Sequence, residues 1–317
     1  MPLFAGGSVP RVADSNSLQT FAYSRDGKYI AAGEFGRTGY FEGIIIYDGI
    51  TLDKIKILQG HEGSRLISQI DFSPDGIHIA SCSDDKILVH EIETGKSIFS
   101  LIPKNKIVTS ISYRFDGQRL VSGVSGLITI WDAVTGKEIM TLQAPQKYCE
   151  TISYSPDGNK ILSAFEYSFK IWDANFGTEL MEITEQNMFS VSASYSPDGT
   201  KIIAGYSGRL GSGNEQIIKI YDSYNYDVLY SYIIGYGSIN NALFAQYNNY
   251  ILISYTTDDT LPHRYEPQII IMNSCDGNII DIIRKTSNHR FSFAINYSGT
   301  NIVFTENYID IKLYIIN

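Results

Sequence analysis

Three features of the sequence predict an all-β fold and, within that class, a single seven-bladed β-propeller. A tight turn recurs seven times, a β-branched run keeps step with it, and no segment carries an apolar stripe of helical period. The turns are YSRDG at 23–27, FSPDG at 72–76, YRFDG at 113–117, YSPDG at 154–158 and YSPDG at 195–199, then QYNN at 246–249 and NYSG at 296–299. Their turn residues are Asp26, Asp75, Asp116, Asp157, Asp198, Asn248 and Ser298, separated by 49, 41, 41, 41, 50 and 50. Pro presets φ, Asp bonds back to the backbone and Gly accepts a positive φ, so each copy joins two antiparallel strands tightly.

The second element is a short run closed by an aromatic and usually an acid: IIIYD at 44–48, ILVHE at 87–91, ITIWD at 128–132, FKIWD at 169–173 and IKIYD at 218–222. IIIMN at 269–273 and IKLYI at 311–315 complete seven. A further turn follows, as in ETGK at 93–96 and VTGK at 134–137. Flanking segments such as Lys160–Ala164 are short and rich in β-formers, so each period reads as four strands and seven sheets close a ring. One domain over 1–317 is expected, with blades near 16–52, 64–101, 105–142, 147–183, 188–233, 238–283 and 288–317, the last completed by a strand from 3–12.

Composition narrows the function classes. The 317 residues are 44% hydrophobic and 19% charged, which excludes a disordered chain, and closed β architectures of this length can be one domain. A net charge of −9 disfavours nucleic acid or an anionic membrane as a general partner. Cys82, Cys149 and Cys275 are too few and too scattered for a disulfide framework or a zinc knuckle. The segment Met1–Asn16 lacks the pattern of a secretory signal, and no apolar run approaches bilayer-spanning length. A cytoplasmic protein is expected, the nucleus being the other compartment open to it.

Trp131-Asp132, Trp172-Asp173, the SPDG and TGK turns and Gly60-His61 together resemble the WD-repeat (WD40) β-propeller family across essentially the whole chain. In that family a His, a strand Ser or Thr, a turn Asp and the Trp form a hydrogen-bonded tetrad. The resemblance therefore implies structural roles for His61, Asp85, Trp131, Asp132, Trp172 and Asp173. This chain has one Gly-His and two Trp-Asp pairs, and His90 stands at the Trp position of the copy that holds His61. Most blades are thus expected to cohere by β-branched and aromatic packing. The resemblance also implies the closing N-terminal strand and a non-catalytic role in holding protein or peptide partners. Asp75, Asp116, Asp157 and Asp198 lie on separate blades and read as structural turn caps, not as an acid–base pair.

Candidate binding residues come from loops expected on one face. Three copies carry insertions between the second and third strands: Glu34–Gly43, Ser207–Gln216 and Thr256–Pro267. They supply Arg37, Tyr40, Arg209, Asp258, Asp259, His263 and Arg264. Ten residues before the turn residues stand Asn16, Arg65, Lys106, Lys147, Met188, Ser238 and Asn288, with Arg290 two further on. Arg65, Lys106 and Lys147 form a basic arc on three consecutive blades, and with Arg290 they suit an acidic or phosphorylated peptide. The plain alternative is that wet loop positions accept any long polar residue. Tyr148, Tyr224, Tyr226, Tyr236 and Tyr265 are further loop tyrosines that could anchor a partner.

Catalytic signatures do not emerge. The five histidines show no paired metal-ligand spacing, and His263 beside Asp259 and Glu266 is the one local group of possible ligands. There is no nucleophile elbow, P-loop or dinucleotide fingerprint. The expectation is no enzyme, no metal and no cofactor. Two other readings stay open: a hydrolase or lyase at the channel mouth, for which the inner segments offer Asp71 and Glu150, and an RNA-associated scaffold using the basic arc.

Overall fold

The computed structural model describes residues 17–35, 43–61, 66–104, 107–145, 147–185, 188–210, 213–245, 250–257, 267–284, 293–305 and 311–315. They form an all-β, seven-bladed propeller. Blade 2 sets the pattern with antiparallel strands Ile67–Phe72, His78–Ser83, Ile87–Glu91 and Ser97–Leu101, in that order from the axis outward. From blade 7 through blades 1, 2, 3, 4 and 5 to blade 6, the first strands lie against one another in turn around the axis. Blades 5 and 6 share one unbroken strand, Val228–Phe244, whose first half is the outer strand of blade 5 and whose second half is the inner strand of blade 6. The described part of blade 7 has three strands. The closing strand expected at 3–12 lies outside the described residues.

Central strands are buried on both faces, so their apolar runs are continuous rather than alternating. The third strand of blade 2 is buried from Ile87 to His90, and that of blade 4 from Ser168 to Trp172. Seven apolar clusters result, one at each seam between neighbouring blades. The aromatic that ends the third strand packs back onto the preceding blade: Trp131 on blade 2, Trp172 on blade 3 and Tyr221 on blade 4. Tyr47 does the same against Ala294, Val303 and Ile311, so blade 1 packs on blade 7 and the ring is closed by apolar contact. Arg25 reinforces that seam by donating to the Tyr297 hydroxyl at 3.1 Å, with its guanidinium 4.7 Å from the ring centre.

A second device holds the inner ring. Each innermost strand has a free edge whose amides need acceptors. Gln69 Oε1 accepts the Ile111 amide at 3.1 Å and the Ser110 hydroxyl at 2.5 Å. Ser110 Oγ in turn accepts the Ile152 amide at 2.8 Å, Thr151 Oγ1 the Ala193 amide at 3.1 Å, and Ser192 Oγ the Ala242 amide at 3.0 Å. In blades 2 to 5, one side chain at the same register thus satisfies the next blade's edge. Ser110→Ala should cost about 2 kcal/mol, because it orphans a buried amide as well as removing a bond. Denaturant unfolding reads the loss, and the Ile152 amide should lose hydrogen-exchange protection. Unchanged exchange at that amide would show that the bond contributes nothing.

The outer edge is blunted differently. In all six described outer strands a β-bulge skips one residue of the register: Ile55, Ile98, Ile139, Leu180, Leu229 and Ile280. Each skipped residue is an aliphatic left between 43% and 50% exposed. A bulge twists the edge and interrupts pairing, which is a recognised protection for a sheet margin.

Candidate interaction face

Antiparallel alternation sorts the loops onto two faces. The turns between first and second strands share one face with those between third and fourth strands. The connections between blades share the opposite, upper face with the turns between second and third strands.

The carboxylates of the lower face are engaged in backbone capping. Ser73 Oγ donates to Asp75 at 2.5 Å, the Ile77 amide donates to the same oxygen at 2.9 Å, and the His78 amide donates to Ser73 Oγ at 2.8 Å. The arrangement repeats at Ser24–Asp26, Ser155–Asp157 and Ser196–Asp198. Partial burial favours the neutral acid, but these donors outweigh it and hold Asp75 below the usual carboxylate range. In blade 3 Arg114 replaces the Ser and grips Asp116 with two nitrogens at 2.9 and 2.6 Å, the main cause of its lowered pKa. Asp132 and Asp173 cap the following turns, each accepting two backbone amides at 2.7 to 3.0 Å. The Gly of those turns has φ near +70° in blades 2, 3, 4 and 6, but Leu52 and Tyr226 occupy the same place with φ 62°. Leu52 is buried in the seam with blade 7, and Tyr226 accepts from Lys160 Nζ at 3.2 Å, so tertiary contacts hold a conformation that only Gly adopts freely.

The polar staples within blades vary. His61 Nε2 lies 2.8 Å from Ser81 Oγ and its Nδ1 lies 3.0 Å from Ser83 Oγ, which donates to Asp85 at 3.0 Å. Because the Ser83 proton goes to Asp85, Nδ1 carries the imidazole proton and Nε2 accepts from Ser81. Burial, aided by the positive charge of Lys86, lowers the His61 pKa to about 4, so the ring is neutral. Trp131 Nε1 donates to Ser122 at 2.9 Å and Trp172 Nε1 to Ser163 at 2.8 Å. Ser81, Ser122 and Ser163 each stand nine residues before the closing aromatic position, a spacing visible in the sequence that the motif reading passed over. Blade 5 uses another set: the Tyr206 and Tyr221 hydroxyls meet at 2.8 Å, and Glu185 accepts from Tyr221 at 3.2 Å and from Lys219 at 2.6 Å.

On the upper face, over blades 4 and 5, the structure gathers an exposed cluster. Lys147 pairs with Glu166 at 2.7 Å and lies 5.3 Å from the centre of the Tyr167 ring. The pair raises the Lys147 pKa and lowers that of Glu166, each through its bond to the other. The Tyr167 and Phe189 rings lie 5.1 Å apart, and they are 45% and 42% exposed. Tyr148 stands beside Lys147 in the chain and is also exposed, as are Ile102 and Ile107 in the connection between blades 2 and 3. An ion pair flanked by partly exposed aromatics can take up an apolar or aromatic side chain and offer it hydrogen bonds at the margin.

Of the charged candidates drawn from the basic arc and the insertions, Lys147 is the one whose side chain is described, and it is a member of an ion pair rather than an unpaired cation. Arg65, Lys106, Arg290, Arg37, Tyr40, Asp258, Asp259, His263 and Arg264 lie outside the described residues, as does Tyr265. Arg209 lies within a strand, because Ser207–Gln216, expected as a loop, continues the second and third strands of blade 5 as a hairpin pairing Ser207 with Gln216 through Leu210 with Gly213. Tyr224 and Tyr226 fall on the lower face, and Tyr236 belongs to the shared strand Val228–Phe244 rather than to a loop. Asp71 Oδ2 accepts the Tyr113 amide at 2.7 Å, a further bond from blade 2 to the first strand of blade 3. Among the described residues there is no cluster of three or more possible metal ligands, and no helix long and apolar enough to cross a membrane.

The family model described as "WD domain, G-beta repeat" (WD40) matches residues 52–90, 95–132 and 136–173. These stretches correspond to the outer strand of one blade followed by the three inner strands of the next, so the sequence repeat is offset from the blade and each repeat ties two blades together. No curated protein matches the chain.

Proposed function

We propose, for a chain that carries three WD40 repeats within a seven-bladed propeller, that it is a non-catalytic scaffold holding protein or peptide partners on its upper face. The observation that carries this reading is the exposed cluster of Tyr148, Tyr167 and Phe189 around the Lys147–Glu166 pair. These groups rise from blades braced by apolar seams and inner-ring hydrogen bonds, so little order is lost when a partner docks. Arg65 and Lys106 stand at the same spacing before their turn residues as Lys147, and in this reading they take up acidic residues of the partner. The absence of bond chemistry is part of the proposal, supported by the engagement of Asp71 and the turn acids in backbone bonds.

The test is quantitative capture by the immobilised full chain, comparing wild type with Tyr167→Ser/Phe189→Ser and with Phe176→Ser/Tyr224→Ser on the lower face. Loss of two aromatic anchors should reduce capture of specific partners about tenfold or more, while the lower-face pair leaves it intact. Equal capture by all three proteins would remove the upper face from consideration. Adding Arg65→Glu/Lys106→Glu should weaken whatever acidic partner remains.

A further inference from the structure

The outer strand of blade 5 stands apart from the others. Outer strands elsewhere carry charge: Lys54 and Lys56 in blade 1, Glu138 in blade 3, Glu179 and Glu182 in blade 4, Asp281 and Arg284 in blade 6. That of blade 2 is also uncharged, but it is only five residues long, and like that of blade 5 it directly follows a charged residue, Lys96 in the one and Asp227 in the other. From Val228 through Thr257 the chain contains no Asp, Glu, Lys, Arg or His. Charged residues on an edge strand discourage another strand from adding to it, and this edge has none.

The same strand is long and firmly held. Its outer half, Val228–Tyr236, pairs on one side with the third strand of blade 5, from Tyr221 opposite Val228 to Glu215 opposite Tyr236. It then continues directly into blade 6. Between the bulges that skip Leu229 and Ile234 lies a regular stretch, Tyr230–Ile233. Val228, Leu229, Tyr230 and Ile233 are exposed, Ile233 by 68%. Alongside runs an apolar groove of about 370 Å³ whose walls include Ile233, Ile234, Ile270, Met272 and Ile279.

We infer that this edge is a self-association site at which a second copy of the chain adds its own Tyr230–Ile233 antiparallel to the first. The occupant follows from charge. Each chain carries −9, so two copies repel over most of their surfaces, and approach is least unfavourable where neither presents a carboxylate. An antiparallel pair of identical edges is also self-complementary about a twofold axis, and it needs no shape matching beyond the strand itself. An axis between Ser231 and Tyr232 sets Tyr230 of one copy opposite Ile233 of the other, joining the exposed aliphatic to the ring that stacks on Tyr232. The strand spans about 30 Å at roughly 3.3 Å per residue, so the contact is small beside the ~800 Å² per partner of a tight complex. The dimer is accordingly of micromolar strength. The upper face plays no part in it, and the inference stands apart from the scaffold reading.

Sedimentation of the full chain between about 1 and 100 µM tests it. The weight-average mass should rise from 35.5 kDa toward twice that value. Added salt should strengthen association, because it screens like net charges. Amides 230–233 should gain hydrogen-exchange protection as concentration rises. Ile233→Lys should leave the chain monomeric, whereas Ile98→Lys on the outer strand of blade 2 should not. A wild-type monomer at the highest concentration in high salt overturns the inference, and so does a dimer indifferent to Ile233→Lys. Should that variant melt early, the concentration dependence of wild-type exchange decides alone: protection elsewhere but not at 230–233 would place the contact on another surface.

Discussion

Trp172→Ala is expected to lower the melting temperature by about 10 °C, the largest single-residue effect foreseen in this molecule. The indole is 3% exposed and belongs to blade 4, yet it packs in the seam with Val121, Ile128 and Leu142 of blade 3, beside Cys149 of blade 4's own first strand. Deleting it leaves a cavity at the boundary between two sheets, where neither sheet can collapse without moving the ring. Large-to-small changes of this kind cost about 3–5 kcal/mol. The Ser163 hydroxyl, which accepts from Nε1 at 2.8 Å, loses that donor at the same time. Trp172→Phe separates the two contributions: it keeps most of the volume, removes the donor, and should cost about 1–2 kcal/mol. Equal losses for Ala and Phe would mean that the hydrogen bond, not the packing, dominates the seam.

Asp71→Asn should stabilise the protein at pH 8 and leave it unchanged at pH 4. Burial pushes the Asp71 pKa from 3.8 up to about 7, against the opposing pull of the Tyr113 amide. An acid with a raised folded-state pKa binds its proton more tightly in the native state. Its contribution is therefore full below the unfolded pKa and lost as pH climbs to 7. An amide in its place still accepts from Tyr113 and never ionises. The full linkage for such a shift is about 4 kcal/mol, and Asp71 keeps some exposure, so a gain of about 2 kcal/mol at pH 8 is the reasonable expectation. His61 works in the other direction. Its pKa is lowered from 6.5 to about 4, so its contribution is present above 6.5 and lost as pH falls toward 4. The two slopes oppose each other in the wild type, and removing Asp71 should expose a stability that rises with pH across that window. Urea unfolding at pH 4, 6 and 8 measures this, and parallel curves for the two proteins would refute it.

Much of the fold was legible because its chemistry is local. A Ser, an Asp two residues on and a Gly after it close a turn with bonds that never leave six residues, so FSPDG and YSPDG announce themselves. The family resemblance rested on Trp131 and Trp172, and the matched repeats fall on those copies. Two regularities were present in the sequence but mute. Gln69, Ser110, Thr151 and Ser192 recur at a spacing of 41, and Ser122 and Ser163 precede their tryptophans by nine. Nothing in a lone Ser says which backbone amide across a seam it will meet, because that depends on the stagger between first strands of adjacent blades. Lys147 was legible as a cation near a loop mouth. Its partner Glu166 was not, since the ion pair needs the connection into blade 4 to fold against that blade's own second turn. Ser207–Gln216 read as an inserted loop because Gly and polar residues interrupt its pattern. Cross-strand register made it a hairpin.

The number of repeats, the turn that ends each first strand and the residues that fill the sheets are set by neighbours a few positions apart and can be read along the chain. How the ring closes between Tyr47 and Val303, which serine hydroxyls tie one blade to the next and which aromatics remain in solvent on the upper face emerge from packing between blades. Those outcomes depend on the relative placement of strands forty or more residues apart. Burial and hydrogen bonding at a seam are properties of two packed surfaces, and neither surface holds that information alone.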